Sequence, residues 1–280
     1  MKIGVVLNPA KTNVKSVAEL IASKLNSLDV EFYFEKEASD ELNVQCNTLD
    51  AKSIYSESDV IIAVGGDGTM IHTAKNAAIY SKPVLGVNSG RVGYIAGLET
   101  NELDLLDRLV SGDYHIENRM MLESFVSSNP DKKYFCLNDV IISKGSMEFA
   151  FDITMRNNSQ EFMSIRADGL ITATPTGSTA YAMSAGGPVT APSIESMIVV
   201  PICPIALYSR GLVLASEANL EITSKTRDGA NVFVTFDGRE GFAIKPDDVI
   251  HIKKADHIVT RLIKIKKDSF YDVLKNKISI

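Results

Sequence analysis

The sequence predicts an α/β domain built on a parallel sheet, joined to a second, β-rich domain. Three observations predict this. The first hundred or so residues alternate short apolar runs with segments of helical period. Beyond residue 111 the hydrophobic period drops to two. At 280 residues the chain is long enough for two domains.

Taken in order, residues 3–7 form an apolar run stopped by Asn8-Pro9, which reads as a buried strand. From Val14 the period changes: Val14, Val17, Ile21, Leu25 and Leu28 share one helical face, with Lys15, Glu19 and Lys24 off it. Residues 30–34 and 60–64 read as further strands, 70–78 as a helix and 84–87 as a fourth strand. Residues 101–110 read as another helix, with Leu103, Leu106 and Leu109 at three-residue spacing. In the second half, Phe149, Phe151, Ile153 and Met155 alternate with Ala150, Asp152, Thr154 and Arg156. Val232, Val234 and Phe236 repeat that alternation before an Asp237-Gly238 turn, and residues 249–252 and 258–265 continue it. The expected divisions are an α/β domain over 1–111, a β-rich domain over 112–265, and a tail over 266–280. Within the tail, residues 269–278 have helical spacing and are expected to pack back on the body.

Composition narrows the function. Apolar residues make up 45% and charged residues 23%, so there is enough apolar surface to offset chain entropy. The longest apolar run, 197–207, is broken by Pro201 and Pro204 and is too short for a membrane span. A net charge of −6 argues against nucleic-acid or anionic-membrane partners, but not against a small anion held by backbone N–H groups. Three cysteines and four histidines stand scattered, so no metal-ligand constellation from protein side chains is expected. The first residues lack the longer apolar stretch of a secretory signal, and the cytoplasm is the expected compartment.

The sharpest local signal in the first half is Gly65-Gly66-Asp67-Gly68-Thr69, which directly follows a strand and precedes a helix. Glycines let a ligand approach the backbone, and a helix N-terminus presents unpaired N–H groups to a phosphate. No lysine follows as in a Walker loop, and the glycines lack the Rossmann spacing. A carboxylate beside a phosphate cradle would repel it, so Asp67 needs a reason. It could accept a proton from a hydroxyl, hold Mg²⁺, or simply cap the helix. A second loop, Asn88-Ser89-Gly90-Arg91-Val92-Gly93-Tyr94, should lie at the same sheet edge.

The densest signal is polar: Arg166-Ala167-Asp168, then Thr174-Pro175-Thr176-Gly177-Ser178-Thr179-Ala180-Tyr181, then Ser184-Ala185-Gly186-Gly187-Pro188. Small hydroxyl residues leave room for a ligand and supply neutral donors, Tyr181 offers a flat face for a purine, and Asp168 an acceptor. A Ser/Thr-rich capped loop would account for some of these hydroxyls. Asn138-Asp139 interrupts an apolar stretch, where a ribose would satisfy it or an exposed bulge would leave it in water.

Together these segments resemble the NAD kinase family. Residues 65–69 match its GGDGT motif, and 88–94 its NxGxxGF loop with Tyr94 for Phe. Residues 119–122, beginning at Arg119, match an RxxL element, and 174–188 match its TPTGSTAYxxSAGGP signature. The resemblance implies phosphorylation of the 2′-hydroxyl of the adenosine ribose of NAD, giving NADP. The donor would be ATP, or polyphosphate in some members, with Mg²⁺ or another divalent cation. It implies Asp67 as the base and Gly68 against the ribose, with His72 also on the NAD side. Asn138 and Asp139 would hold the ribose hydroxyls and adenine side. Arg166 and Asp168 would meet the nicotinamide half. Thr176, Thr179, Ala180, Tyr181 and Ser184 would meet the dinucleotide and its adenine. Gly65, Gly66, Thr69, Asn88, Gly90 and Gly93 would form the phosphate-donor loops. It also implies homodimers or homotetramers. Three positions depart from the family: Asp139 where Glu is usual, Ile205 where a histidine is frequent, and Arg239 where DGQ places an amide; Arg239 could pair with a phosphate or simply replace an amide contact. Two other readings compete: a related kinase acting on another hydroxyl, and a non-catalytic dinucleotide-binding sensor.

Overall fold

A computed structural model describes residues 1–10, 13–44, 46–90, 93–145, 150–226, 230–266 and 270–278. Arg91, Val92, Phe149 and Ser269, used in the readings above, lie outside the described residues. The chain divides into two compact units, Met1–Asn118 with Ile258–Ile280, and Arg119–His257.

The first unit runs β1 (Lys2–Leu7), α1 (Val14–Ser27), β2 (Glu31–Glu35), α2 (Lys36–Leu42), β3 (Thr48–Leu49), α3 (Ser53–Glu57), β4 (Val60–Gly65), α4 (Asp67–Ile79), β5 (Pro83–Asn88) and β6 (Leu98–Glu99). A 3₁₀ helix (Thr100–Leu105), α5 (Leu106–Ser111) and β7 (His115–Arg119) follow. The second unit holds β8 (Leu122–Val126), β9 (Asn129–Cys136), β10 (Asp139–Lys144), β11 (Phe151–Asn157), β12 (Gln160–Ala167) and β13 (Gly169–Ala173). It continues with α6 (Tyr181–Ser184), β14 (Ser196–Ile202), β15 (Leu212–Ala215), β16 (Leu220–Lys225), β17 (Val232–Phe236), β18 (Glu240–Ile244) and β19 (Val249–Lys254). The chain then returns to the first unit with β20 (Thr260–Lys264) and α7 (Phe270–Ile278).

The first sheet has the order β3-β2-β1-β4-β5-β20-β7, with β6 on β5. β1 pairs in parallel with both β2 and β4, and β4 with β5. Every residue of β4 is buried, as expected for a strand covered on both faces. One cover is α1, whose Val14, Val17, Ile21 and Leu25 are all buried. The chain leaves β1 toward β2 on one side and returns to β4 on the other, so a topological switch falls between β1 and β4. Ligands bind at the carboxyl ends of such strands. The register aligns those ends: Leu7 with Val64, and Gly65 with Asn88.

Two details differ from the sequence reading. The 101–110 helix is a 3₁₀ turn with a non-helical residue at Glu102, followed by a short α-helix. The three-residue leucine spacing suits the tighter period. Residues 258–265 were expected in the β-rich domain, but β20 pairs in parallel with β5 in the first sheet, Arg261 with Pro83 and Leu262 with Val84. β7 also belongs to that sheet, so the second unit spans Arg119–His257 rather than 112–265. Alternation of period two marks a strand but does not choose its partner.

In the second unit two six-stranded sheets have orders β15-β14-β13-β10-β17-β18 and β12-β11-β16-β19-β8-β9. Their inner faces share one core, including Ile142, Leu170 and Phe236 from the first and Ile153, Ile222 and Ile250 from the second. Ile171, Ala173, Ile198 and Val200 on the outer face of the first sheet pack with Ala182 of α6. β13 is therefore buried along its whole length. Among the described residues no helix is long and apolar enough to cross a membrane.

Candidate active site

Asp67 is the first residue of α4, three positions before the predicted start, with Gly66 at the N-cap. No side chain caps this helix. Instead the Asp67 carboxylate accepts the Tyr94 N–H at 3.1 and 3.2 Å and the Ile95 N–H at 3.4 Å. The two glycine loops are thus joined through Asp67. A Cβ on Gly93 would stand 2.2 Å from Asp67 Oδ1, so only glycine lets the second loop come this close. Burial and then the Asp67 charge push the Tyr94 hydroxyl above its ordinary value.

The remaining groups of this edge divide by what they touch. A Cβ on Gly66, Gly68 or Gly90 would meet nothing within 4 Å, so these backbones face open space. Gly65 packs against Thr69, which is buried and accepts the Asn8 Nδ2–H at 3.2 Å. Asn88 is buried and closes its own loop, accepting the Gly90 N–H at 3.2 Å and donating to Glu99 Oε2 at 2.9 Å. His72 lies one turn after Gly68 on α4, with Nε2 3.3 Å from Asn76 Nδ2. Asn8 was not singled out from sequence; its signal was its place immediately after the first strand.

In the second unit, Asn138 and Asp139 are buried, 8% and 4% exposed, so the exposed-bulge reading fails. The Asn138 carbonyl accepts the Thr174 N–H at 2.8 Å, and Thr174 Oγ1 donates to the Leu137 carbonyl at 2.5 Å. A Cβ on Gly177 would lie 2.1 Å from the Asn138 carbonyl oxygen. Asn138 Oδ1 is one of several buried side-chain polar atoms without a hydrogen-bond partner among the described residues. Burial, and then the charge of Asp237, pushes the Asp139 carboxyl up to about 7.

Several hydroxyls of the central segment are used within it. Ser178 Oγ donates to the Pro175 carbonyl at 2.7 Å and accepts the Thr190 N–H at 3.0 Å. Thr179 Oγ1 donates to the Thr176 carbonyl at 3.2 Å. Thr176 Oγ1 accepts from the buried Arg119 guanidinium at 3.1 Å. The capped-loop reading therefore accounts for these groups, while Ala180 is half-buried and Tyr181 and Ser184 are exposed. Asp168 is ion-paired with Lys144 at 2.7 Å, a partner the sequence reading missed because β10 and β13 are brought together only by the fold. Arg166 donates to the Ala150 carbonyl at 3.3 Å. Among the described residues no three His, Cys, Asp or Glu side chains form a metal-sized cluster.

A doubly wound sheet carrying an aspartate in a glycine loop at its switch point, in a chain that also holds a β-rich unit, defines a nucleotide-handling α/β protein. Comparison with known proteins narrows this class. Residues 3–114 match the family model of the ATP-NAD kinase N-terminal domain, and residues 137–265 that of the ATP-NAD kinase C-terminal domain. The NAD kinase of Caldanaerobacter subterraneus subsp. tengcongensis is 37% identical, with 99% of each chain covered. That of a Thermoanaerobacter species is 36% identical with the same coverage. Among solved structures, an NAD kinase from Archaeoglobus fulgidus in complex with ATP superposes with a TM-score of 0.77 at 26% identity, covering 100% of this chain and 98% of that one. Yeast NADH kinase complexed with NADH gives 0.90 at 19% identity, covering 100% and 88%, a likeness of fold alone. The chain belongs to the NAD kinase family.

Proposed function

We propose that this chain transfers the terminal phosphoryl group of ATP to the 2′-hydroxyl of the adenosine ribose of NAD, giving NADP. The observation that carries the mechanism is the setting of Asp67: a carboxylate fixed by the Tyr94 and Ile95 N–H groups at the carboxyl end of a parallel strand, beside the open backbone of Gly68. In this reading Asp67 takes the proton of the ribose hydroxyl. The new oxygen–phosphorus bond forms as the bond from phosphorus to the β,γ-bridging oxygen breaks, releasing ADP. Transfer of this kind depends mainly on positioning and charge stabilisation, with proton acceptance adding about 10²–10⁴-fold. When bound with ATP, a divalent cation would supply charge neutralisation at the phosphate oxygens.

The other roles follow from chemistry. Asn138 Oδ1 accepts from a ribose hydroxyl, which supplies the partner this buried atom lacks. Asp139 lies beside it as a second acceptor, and Gly68 lies against the sugar. Tyr181, 44% exposed, offers its ring to adenine, with Thr176, Thr179, Ala180 and Ser184 around the dinucleotide. Arg166 and Asp168 meet the nicotinamide half, and His72 the NAD side of α4. Gly65, Gly66, Thr69, Asn88, Gly90 and Gly93 shape the donor loops, and Arg239 meets a phosphate. The protein acts as a homodimer or homotetramer, which the exposed apolar side chains Phe162, Ile205, Leu207 and Tyr208 support. Three free cysteines fit the reducing cytoplasm. Purified protein is expected to form NADP from NAD and ATP–Mg²⁺, with polyphosphate tested as the alternative donor. Binding of NAD with no NADP from either donor would refute the reading.

A further inference from the structure

Asp237 stands just beyond β17 with φ +50°, and Gly238 follows with φ +65°. This left-handed pair turns the Asp237 carboxylate back on the segment that enters β10. Its Oδ2 accepts the Leu137 N–H at 2.9 Å, and its Oδ1 accepts the N–H groups of Asn138 at 2.7 Å and Asp139 at 3.1 Å. The Asp237 N–H donates in return to the Asp139 carbonyl at 3.0 Å. One carboxylate thus receives three successive backbone donors, and such charge-assisted bonds are the strong ones. On the opposite side Thr174 holds the carbonyls of Leu137 and Asn138, and Gly177 leaves room for the latter. The dipeptide is clamped from two strands, while its own amide oxygen is buried without a partner.

Resting on the reading that Asn138 and Asp139 hold NAD, we propose that Asp237 is the positioning residue of that pair, fixing the backbone from which both side chains meet the ribose. The clamp has a second consequence. Asp139 is opposed on β13 by Ala173, with uncharged Thr174 next to it; β17 ends in Phe236 and β9 in the buried Cys136 thiol. Burial first, and then the charge of Asp237, oppose the charge of Asp139.

The test compares the wild type with Asp237→Asn and Gly238→Ala in steady-state NADP formation from NAD and ATP. Asn keeps the size of Asp237 but turns one acceptor into a donor facing backbone N–H groups. KM for NAD is expected to rise by about tenfold or more, while KM for ATP stays within about twofold. The pH midpoint of the NAD KM is expected to move to lower pH, because the neighbouring negative charge is gone. A loss of active protein with the NAD KM and pH midpoint of the remaining enzyme unchanged would overturn the proposal. Should Asp237→Asn not fold, Gly238→Ala keeps the carboxylate and strains only the turn. A rise of about threefold in KM for NAD supports the proposal there, and an unchanged KM overturns it. Wild-type protein that forms no NADP removes the function reading and this proposal with it, a result distinct from a defect confined to the variants.

Discussion

Asp139 carries a conflict between stability and binding. Its carboxyl titrates at about 7 in the fold against 3.8 for an unperturbed side chain, because burial and Asp237 both oppose its charge. Between those values the folded state binds the extra proton. The favourable contribution is therefore complete below the unfolded value and lost as pH rises through 7. Asp139→Asn, which has no charge to bury, should be more stable than wild type at pH 8 by up to about 4 kcal/mol, and nearly equal to it at pH 4. Thermal unfolding at the two pH values checks this, and NAD affinity should fall in the same variant. Asp67, Asn138 and Asp139 stand out in the sequence as candidates because each puts a costly polar group where apolar or phosphate surroundings would reject it. Asp237 was read only as a turn residue, since its three acceptor contacts join positions about a hundred residues apart.

Among the elements, the two loops at the carboxyl edge of β4 and β5 act as one piece. Sequence alternation placed both loops there, and the pairing of Gly65 with Asn88 shows them side by side. What alternation could not show is that Gly93 gives way to the Asp67 carboxylate. Gly93→Ala places a methyl group 2.2 Å from Oδ1, so the loop or the carboxylate must move. The variant is expected to lose about 10²-fold in NADP formation while costing about 1–3 kcal/mol in stability. Turnover together with urea unfolding checks both parts, and near-normal turnover would separate the second loop from the chemistry. The short elements α2, β3 and α3 were not legible, because a two-residue strand and helices of five to seven residues carry too few repeats to define a period.

For the whole molecule, the order of domains was legible from the change of period, but the return of the chain was not. β20 crosses back to the first sheet and buries Leu262 and Ile263, with Ile265 just beyond it. Each such side chain contributes about 1.5–3 kcal/mol. A chain ended after His257 should therefore lose amide protection in β5 while keeping it in β13; equal protection in both would contradict a discontinuous first unit. Phosphoryl transfer by this chain depends, in the proposed mechanism, on Asp67 as the acceptor of the ribose proton. The most direct measurement is NADP formation by Asp67→Asn, made alongside calorimetric titration with NAD. Turnover should fall by about 10²–10⁴-fold with NAD affinity within about threefold of wild type. Turnover equal to wild type would contradict the mechanism.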